Sequence, residues 1–342
     1  MTRTLFLLAC LVLAATGRSQ APYATSPATS VSVNDIHKAI DTGHPDQALA
    51  EIQTLRRTDS HASGLDRLEG LALYAKGDLR AADTAFAAAI NADPADTEAA
   101  QMRGLTLYRL GRPSDAIPLL ERSRAGAIAH ADPNYILGLC YMDTRRYDDA
   151  RHAFAAQFGV PADGATAYLV AARMLLRREY VPVSQEFARK ALEIDPALPL
   201  AHELLGEIAL AGGHTDEAIA ELEKERLRNP LAGSVYNRLG DAFLREGKLD
   251  DAERVLQQDV LLEPNSTGPY ILLGKLNLKK GDPVAAVTFL EHARSMDPGS
   301  YMTHNLLGQA YRALGRREDA SRELSVGERL QAAGEPKLEN AH

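Results

Sequence analysis

Small residues recur through this chain with a fixed step of 34. Glycines that follow a leucine-rich stretch stand at Gly70, Gly104, Gly138, Gly206, Gly240, Gly274 and Gly308. Alanines keep the step at Ala48, Ala82, Ala116, Ala150, Ala218, Ala252, Ala286 and Ala320. So do the glycines Gly43, Gly77, Gly111, Gly213, Gly247, Gly281 and Gly315, and the prolines Pro94, Pro196, Pro230, Pro264 and Pro298. No insertion or deletion breaks the frame, and nine units begin at residues 29, 63, 97, 131, 165, 199, 233, 267 and 301. A period of about 20–50 residues marks a stacked array, in which each unit buries its apolar face only against its neighbours.

The unit over residues 233–266 shows what repeats. Tyr236, Leu239, Gly240 and Phe243 share one face of a helix by their i, i+3, i+4, i+7 spacing. Gly247 then permits a left-handed helix end. Ala252, Val255, Leu256 and Val260 form a second apolar face, and Pro264 stops that helix. Each unit is thus a pair of helices. Gly at the eighth place and Ala at the twentieth let the two axes approach closely, and larger side chains there would overpack the contact.

The 34-residue step, with Leu-Gly, a large residue three places on, a turn Gly, Ala and a terminal Pro, resembles the tetratricopeptide repeat over residues 29–334. The resemblance implies an all-α, right-handed superhelical solenoid of about nine helix-turn-helix repeats. It also implies a concave groove, lined by the first helix of each pair, that takes a peptide or a partner helix without catalysis. Several units depart from the pattern. Ile36 replaces the eighth-place Gly of the first unit, and Arg145 takes the turn of the unit at 131, which ends on Ala162 rather than Pro. The unit at 165 has Ala172, Glu179 and Ser184 at three signature places.

In such repeats the groove is expected at the second, fifth, ninth, twelfth and thirteenth places. Those places give an apolar and aromatic ladder in the N-terminal half: Leu71, Tyr74, Leu105, Tyr108, Tyr135, Leu139 and Met142. In the C-terminal half they give Glu203, Glu207, Asn237, Asp241, Arg245, Lys275, Lys279, Asn305, Gln309 and Arg312, an acidic patch passing into a basic one. A groove gripping apolar side chains at one end and a charged segment at the other fits this pattern. The alternative is that the apolar residues pack between helices and the charges form a solvated face. Members of the family that clamp a terminal carboxylate carry Lys at the fifth place and Asn at the ninth. The pairs here, such as Leu169/Arg173, Glu203/Glu207 and Asn237/Asp241, do not match.

Chemistry-bearing motifs are absent. The chain has no Gly-x4-Gly-Lys-Ser/Thr loop, no Gly-x-Ser-x-Gly elbow and no His-Glu-x-x-His. No cofactor or metal is expected, and Cys140 reads as a small buried hydrophobe. The formal charge of −8 argues against nucleic acid as a partner.

The first residues read as an export signal. Arg3 precedes the apolar run Leu5–Ala15, which is too short to span a bilayer. Residues 1–21 are therefore expected to be a signal peptide, 22–28 a linker and 335–342 a polar tail, with the protein periplasmic or secreted. Leu7-Leu8-Ala9-Cys10 resembles a bacterial lipobox. Lipid on Cys10, or a retained N-terminus, would instead make the chain an envelope-anchored assembly factor. Loss of Arg3 and Arg18 on cleavage takes the formal charge from −8 to −10. The unbroken frame predicts one array, with a softer joint near the units at 131–198, because Ser123–Asp132 and Gln157–Ala165 are Gly- and Ala-rich and lack the terminal proline.

Overall fold

The computed structural model describes residues 31–59, 63–124 and 133–334. The expected signal peptide (1–21), the lipobox-like stretch within it and the expected linker lie outside the described residues, as does the tail. Most of the stretch 123–132 lies outside them too. Among the described residues there are eighteen α-helices and no strand, so the fold is an all-α helical repeat solenoid.

The described residues fall into two compact units, one up to Ala95 and one from Asp96 onward. The first contains α1 (Val33–Asp41), α2 (Pro45–Thr58), α3 (Leu65–Lys76) and α4 (Leu79–Ala92). The second contains α5 (Thr97–Arg109), α6 (Pro113–Ser123), α7 (Pro133–Asp143), α8 (Tyr147–Phe158), α9 (Ala165–Arg177), α10 (Val181–Ile194) and α11 (Ala201–Ala211). It continues with α12 (Thr215–Arg228), α13 (Gly233–Glu246), α14 (Leu249–Leu262), α15 (Thr267–Lys280), α16 (Pro283–Met296), α17 (Tyr301–Ala313) and α18 (Arg317–Gly334). The border between the units, after Ala95, falls beside the start of the repeat at 97.

Each odd-numbered helix and its successor form one pair, and within each unit every pair packs on the next. Within the second unit the first helices also touch one another in sequence, α9 to α11, α11 to α13, α13 to α15 and α15 to α17, and so make a face of their own. Buried apolar side chains run beneath this face from Leu107 to Ala320. The first unit has a separate cluster built on Ile36, Ile52, Leu65 and Leu68.

The signature places have clear steric causes. A Cβ on Gly70, Gly104, Gly138, Gly206, Gly240, Gly274 or Gly308 would stand within 3.0 Å of the side chain sixteen residues on. That side chain is Phe86, Leu120, Phe154, Leu222, Leu256, Leu290 or Leu324. The unit at 165 keeps the fit by exchanging both partners: Ala172 adds a methyl where Gly is usual, and Ala188 supplies the smaller opposing residue. Ser184, in the usual Ala place, is buried and donates its hydroxyl to the Ala172 carbonyl at 2.7 Å. The fifteenth place is left-handed in all nine units. Seven are glycines, while Arg145 (φ 60°) and Glu179 (φ 62°) adopt the same conformation with side chains.

A further contact joins successive pairs. The fourth-place Tyr236 and Tyr270 donate their hydroxyls to the carbonyls of Pro230 and Pro264, at 2.9 and 3.1 Å. His304 Nε2 lies 3.0 Å from the Pro298 carbonyl in the same way. The joint at 157–165 is densely held. The nearly buried Arg151 donates to the Ala162 carbonyl and to Asp163 Oδ1 at 3.1 Å, and its guanidinium stacks 4.3 Å from the Tyr168 ring.

Candidate functional site

The first-helix face of the second unit is where the groove residues fall, except for Leu71 and Tyr74, which belong to the first unit and are half-buried there. The apolar ladder is largely packing. Met142 is fully buried and Leu139 is 8% exposed, so both are core residues and offer a partner almost no surface. Leu105 is half-buried. Tyr108 is tied by its hydroxyl to Arg178, whose other nitrogen reaches Asp143 at 3.3 Å. Burial raises the Tyr108 pKa despite that guanidinium. Tyr135 is the exposed member, 37% accessible and tilted against Phe154.

The charged half is brought together, but its members bind each other. Glu203 is 4% exposed and lies 3.4 Å from Arg238, which also bonds Glu207 at 2.8 Å. Asp241 accepts from Arg245 at 2.7 Å and from Lys275 at 3.4 Å. The thirteenth-place bases close the helix ends of the preceding repeat: Arg245 donates to the Leu210 carbonyl at 3.0 Å and Lys279 to the Leu244 carbonyl at 2.7 Å. Cations belong there, because the last carbonyls of a helix lack partners and carry its negative pole. Asn237 donates to the buried Asp259 at 3.1 Å, and Asn305 fills the space over Gly327. Arg312 is exposed beside the terminal helix, α18.

Two clefts open on this face. One, of about 430 Å³, has Asp241, Arg245 and Lys275 at its rim and Ile271, Leu272 and Met302 among its apolar lining. The other, of about 520 Å³, is lined by Phe158, Leu169, Val170, Met174, Leu198 and Leu200, together with Arg173 and Arg177. Sequence reasoning missed this second cleft. Its signal was present, since Leu169, Arg173 and Arg177 hold the fifth, ninth and thirteenth places of the unit at 165. Phe158 and Leu200 come from adjoining elements and could not be placed beside them from the period alone.

Ionisable groups here are structural in character. Cys140 is buried, and its thiol pKa is pushed up to about 12 by desolvation, which makes it an inert thiol. Asp259 is raised to about 6, first by burial and then by the nearby Glu263, against the Asn237 hydrogen bond. Among the described residues no group of three His, Cys, Asp or Glu is placed to hold a metal ion. None of the described helices is long and apolar enough to cross a membrane.

A family model described as tetratricopeptide repeat matches residues 203–259, within the same frame that organises all nine units. The chain is a tetratricopeptide repeat protein. A second model, described as anaphase-promoting complex, cyclosome, subunit 3, matches residues 75–157. No curated protein matches the chain. Among solved structures, the chain is similar to one from the APC/C hetero-tetramer Cut9–Hcn1 at 16% identity and TM-score 0.45, over 83% of this chain and 57% of that one. It is also similar to YrrB, described as a TPR protein with an unusual peptide-binding site, at 21% identity and TM-score 0.43, over 55% of this chain and 95% of that one. A thermophilic TPR protein of Thermus thermophilus is similar at 18% identity and TM-score 0.43, over 50% of this chain and 97% of that one. Tetratricopeptide repeat proteins are generally protein-interaction scaffolds.

Proposed function

We propose that this protein is a non-catalytic scaffold that binds an extended peptide or a partner helix on the first-helix face of its second unit. The observation that carries the reading is the pair of clefts on that face, each combining an apolar lining with cationic side chains. Concave sites that join apolar surface to a few polar groups are the usual form of a recognition site. Photo-reactive amino acids placed in the full chain at Met302 and Phe158, both exposed cleft residues, would test it against a displayed peptide library. Crosslinks concentrated at these two positions, over an equally photo-reactive exposed position at Leu227 on α12, are expected. Equal labelling at all three, or none at the clefts, overturns the proposal.

Residues 1–21 are proposed to direct export, on the strength of Arg3 and the apolar run after it. Mass spectrometry of the mature N-terminus checks this. A chain starting near residue 22 supports it, and an acylated Cys10 would mark an envelope-anchored assembly factor instead.

A further inference from the structure

The larger of the two clefts contains a guanidinium with one nitrogen that no described group satisfies. Arg173 is half-buried in α9, its Nη2 is sealed from solvent, and no described group accepts a hydrogen bond from it. Buried polar atoms are almost always satisfied, so an orphaned guanidinium nitrogen calls for a partner outside the fold. The carboxylates that could serve from the next repeat, Glu203 and Glu207, are both held by Arg238. Arg177 stands one turn further along α9, and no described acid pairs with it. It does not close a helix end as Arg245 and Lys279 do at the same place in their repeats.

The apolar walls are built with some strain. Leu200 lines the cleft with 39% of its surface exposed, and its backbone is left-handed at φ 68°. Such a conformation is disfavoured for leucine and persists only where surrounding structure enforces it. Here the fully buried Glu225 accepts from the Leu200 N–H at 2.9 Å. Glu225 occupies a place that is Ala191 one repeat earlier and Ala293 two repeats later. Phe158, 52% exposed at the end of α8, supplies another wall.

From these features we infer that the cleft is a subsite for an extended peptide segment in which an acidic side chain lies within three residues of a large apolar one. The carboxylate bonds Arg173, with Arg177 beside it, and the apolar side chain packs among Phe158, Leu169 and Leu200. A guanidinium accepts a carboxylate through paired, charge-assisted hydrogen bonds, and it does so best where apolar walls keep water away. This inference rests on the peptide-binding reading of the first-helix face.

The test uses the full chain and an array of seven-residue peptides, both ends blocked. Each pairs Leu, Met, Phe or Tyr with Asp, Glu, Asn, Gln or Lys at one to three residues' spacing. A second set carries a free terminal carboxylate and no acidic side chain. Acidic peptides are expected to bind at least tenfold more tightly than their amide counterparts, and Arg173→Gln should abolish that preference. Leu200→Gly removes a cleft wall at a backbone conformation that glycine favours, so it should weaken binding several-fold while the thermal unfolding midpoint holds or rises. Equal binding of acidic and amide peptides, preference for the free terminus, or an acidic preference that survives Arg173→Gln overturns the subsite. If that preference survives Arg173→Gln but is lost in Lys275→Gln, the carboxylate is read in the other cleft and the peptide-binding reading stands. If no peptide binds, the subsite falls, and the crosslinking at Met302 decides the broader reading separately.

Discussion

Asp259 is the described side chain whose burial most directly couples the fold to pH. It lies at the twenty-seventh place of its repeat, where other repeats carry Ala89, Ala191, Ala293 or Gly327. A carboxylate there is 1% exposed, and one of its oxygens has no partner. Its pKa rises from 3.8 to about 6 in the folded state. The folded chain therefore holds this proton more tightly than the unfolded chain does. Ionised Asp259 opposes folding above pH 6, and the penalty is relieved as pH falls from 6 to below 4. Asp259→Asn should therefore raise stability at pH 7.5 by up to about 3 kcal/mol. The gain should shrink towards zero below pH 4. Urea midpoints at the two pH values check this, and an equal gain at both would count against the charge as the cause. Glu179 offers a second residue-scale prediction. Its left-handed φ of 62° is costly for any residue with a Cβ, and glycine fills the place in seven other repeats. Glu179→Gly should stabilise by about 0.5–1 kcal/mol, the relief of that strain less the entropy glycine loses on folding. The urea midpoint should rise with no change in slope.

At the scale of the element, the helix pairs were legible because their rules are local and repeat. Eighth-place glycines, twentieth-place alanines, turn glycines and terminal prolines each act within one pair, so the frame alone placed them. The departures were visible but their compensation was not, since Ala172 and Ala188 are sixteen residues apart and only the packed pair shows that they face each other. The same limit governs the candidate site. Asp241 and Lys275 could be assigned to one face, but that face is shared by every first helix. The pairing of charges across repeats, Glu207 with Arg238 and Asp241 with Lys275, depends on side-chain reach between helices. Only once those pairs are drawn does Arg173 stand out in its cleft, with a buried nitrogen that no described group accepts from. The compensation can be tested as a cycle. Ala188→Leu alone should overpack against Ala172 and destabilise by about 1–3 kcal/mol. Adding Ala172→Gly should restore most of that loss, because the pair then matches Gly206 with Leu222 and its counterparts. The two changes should be non-additive by about 1 kcal/mol or more, measured by denaturant unfolding of all four chains. Additive effects would mean that the two places do not share one space.

For the whole molecule, nine repeats run in one frame, and the contacts among them group into two units with a border after Ala95. A repeat array is stabilised by the sum of its units and the interfaces between them. A short body with few interfaces is consequently less stable than a long one, just as small domains bury a smaller share of their surface. The first unit contains two helix pairs, α1 with α2 and α3 with α4, and the second contains seven, α5 through α18. Opening of the first unit should therefore need less free energy than opening of the second. Native-state hydrogen exchange separates them, since amides open in cooperative blocks whose free energies differ. Buried amides of Ala82 and Phe86 in α4 should exchange at least tenfold faster than those of Leu204 in α11 and Leu239 in α13, a gap of about 1.4 kcal/mol. Added denaturant should speed the first group by a smaller slope, because less surface is exposed when two pairs open than when seven do. A common rate and a common slope would mean that all nine repeats open as one cooperative body, and that the division after Ala95 carries no energetic weight.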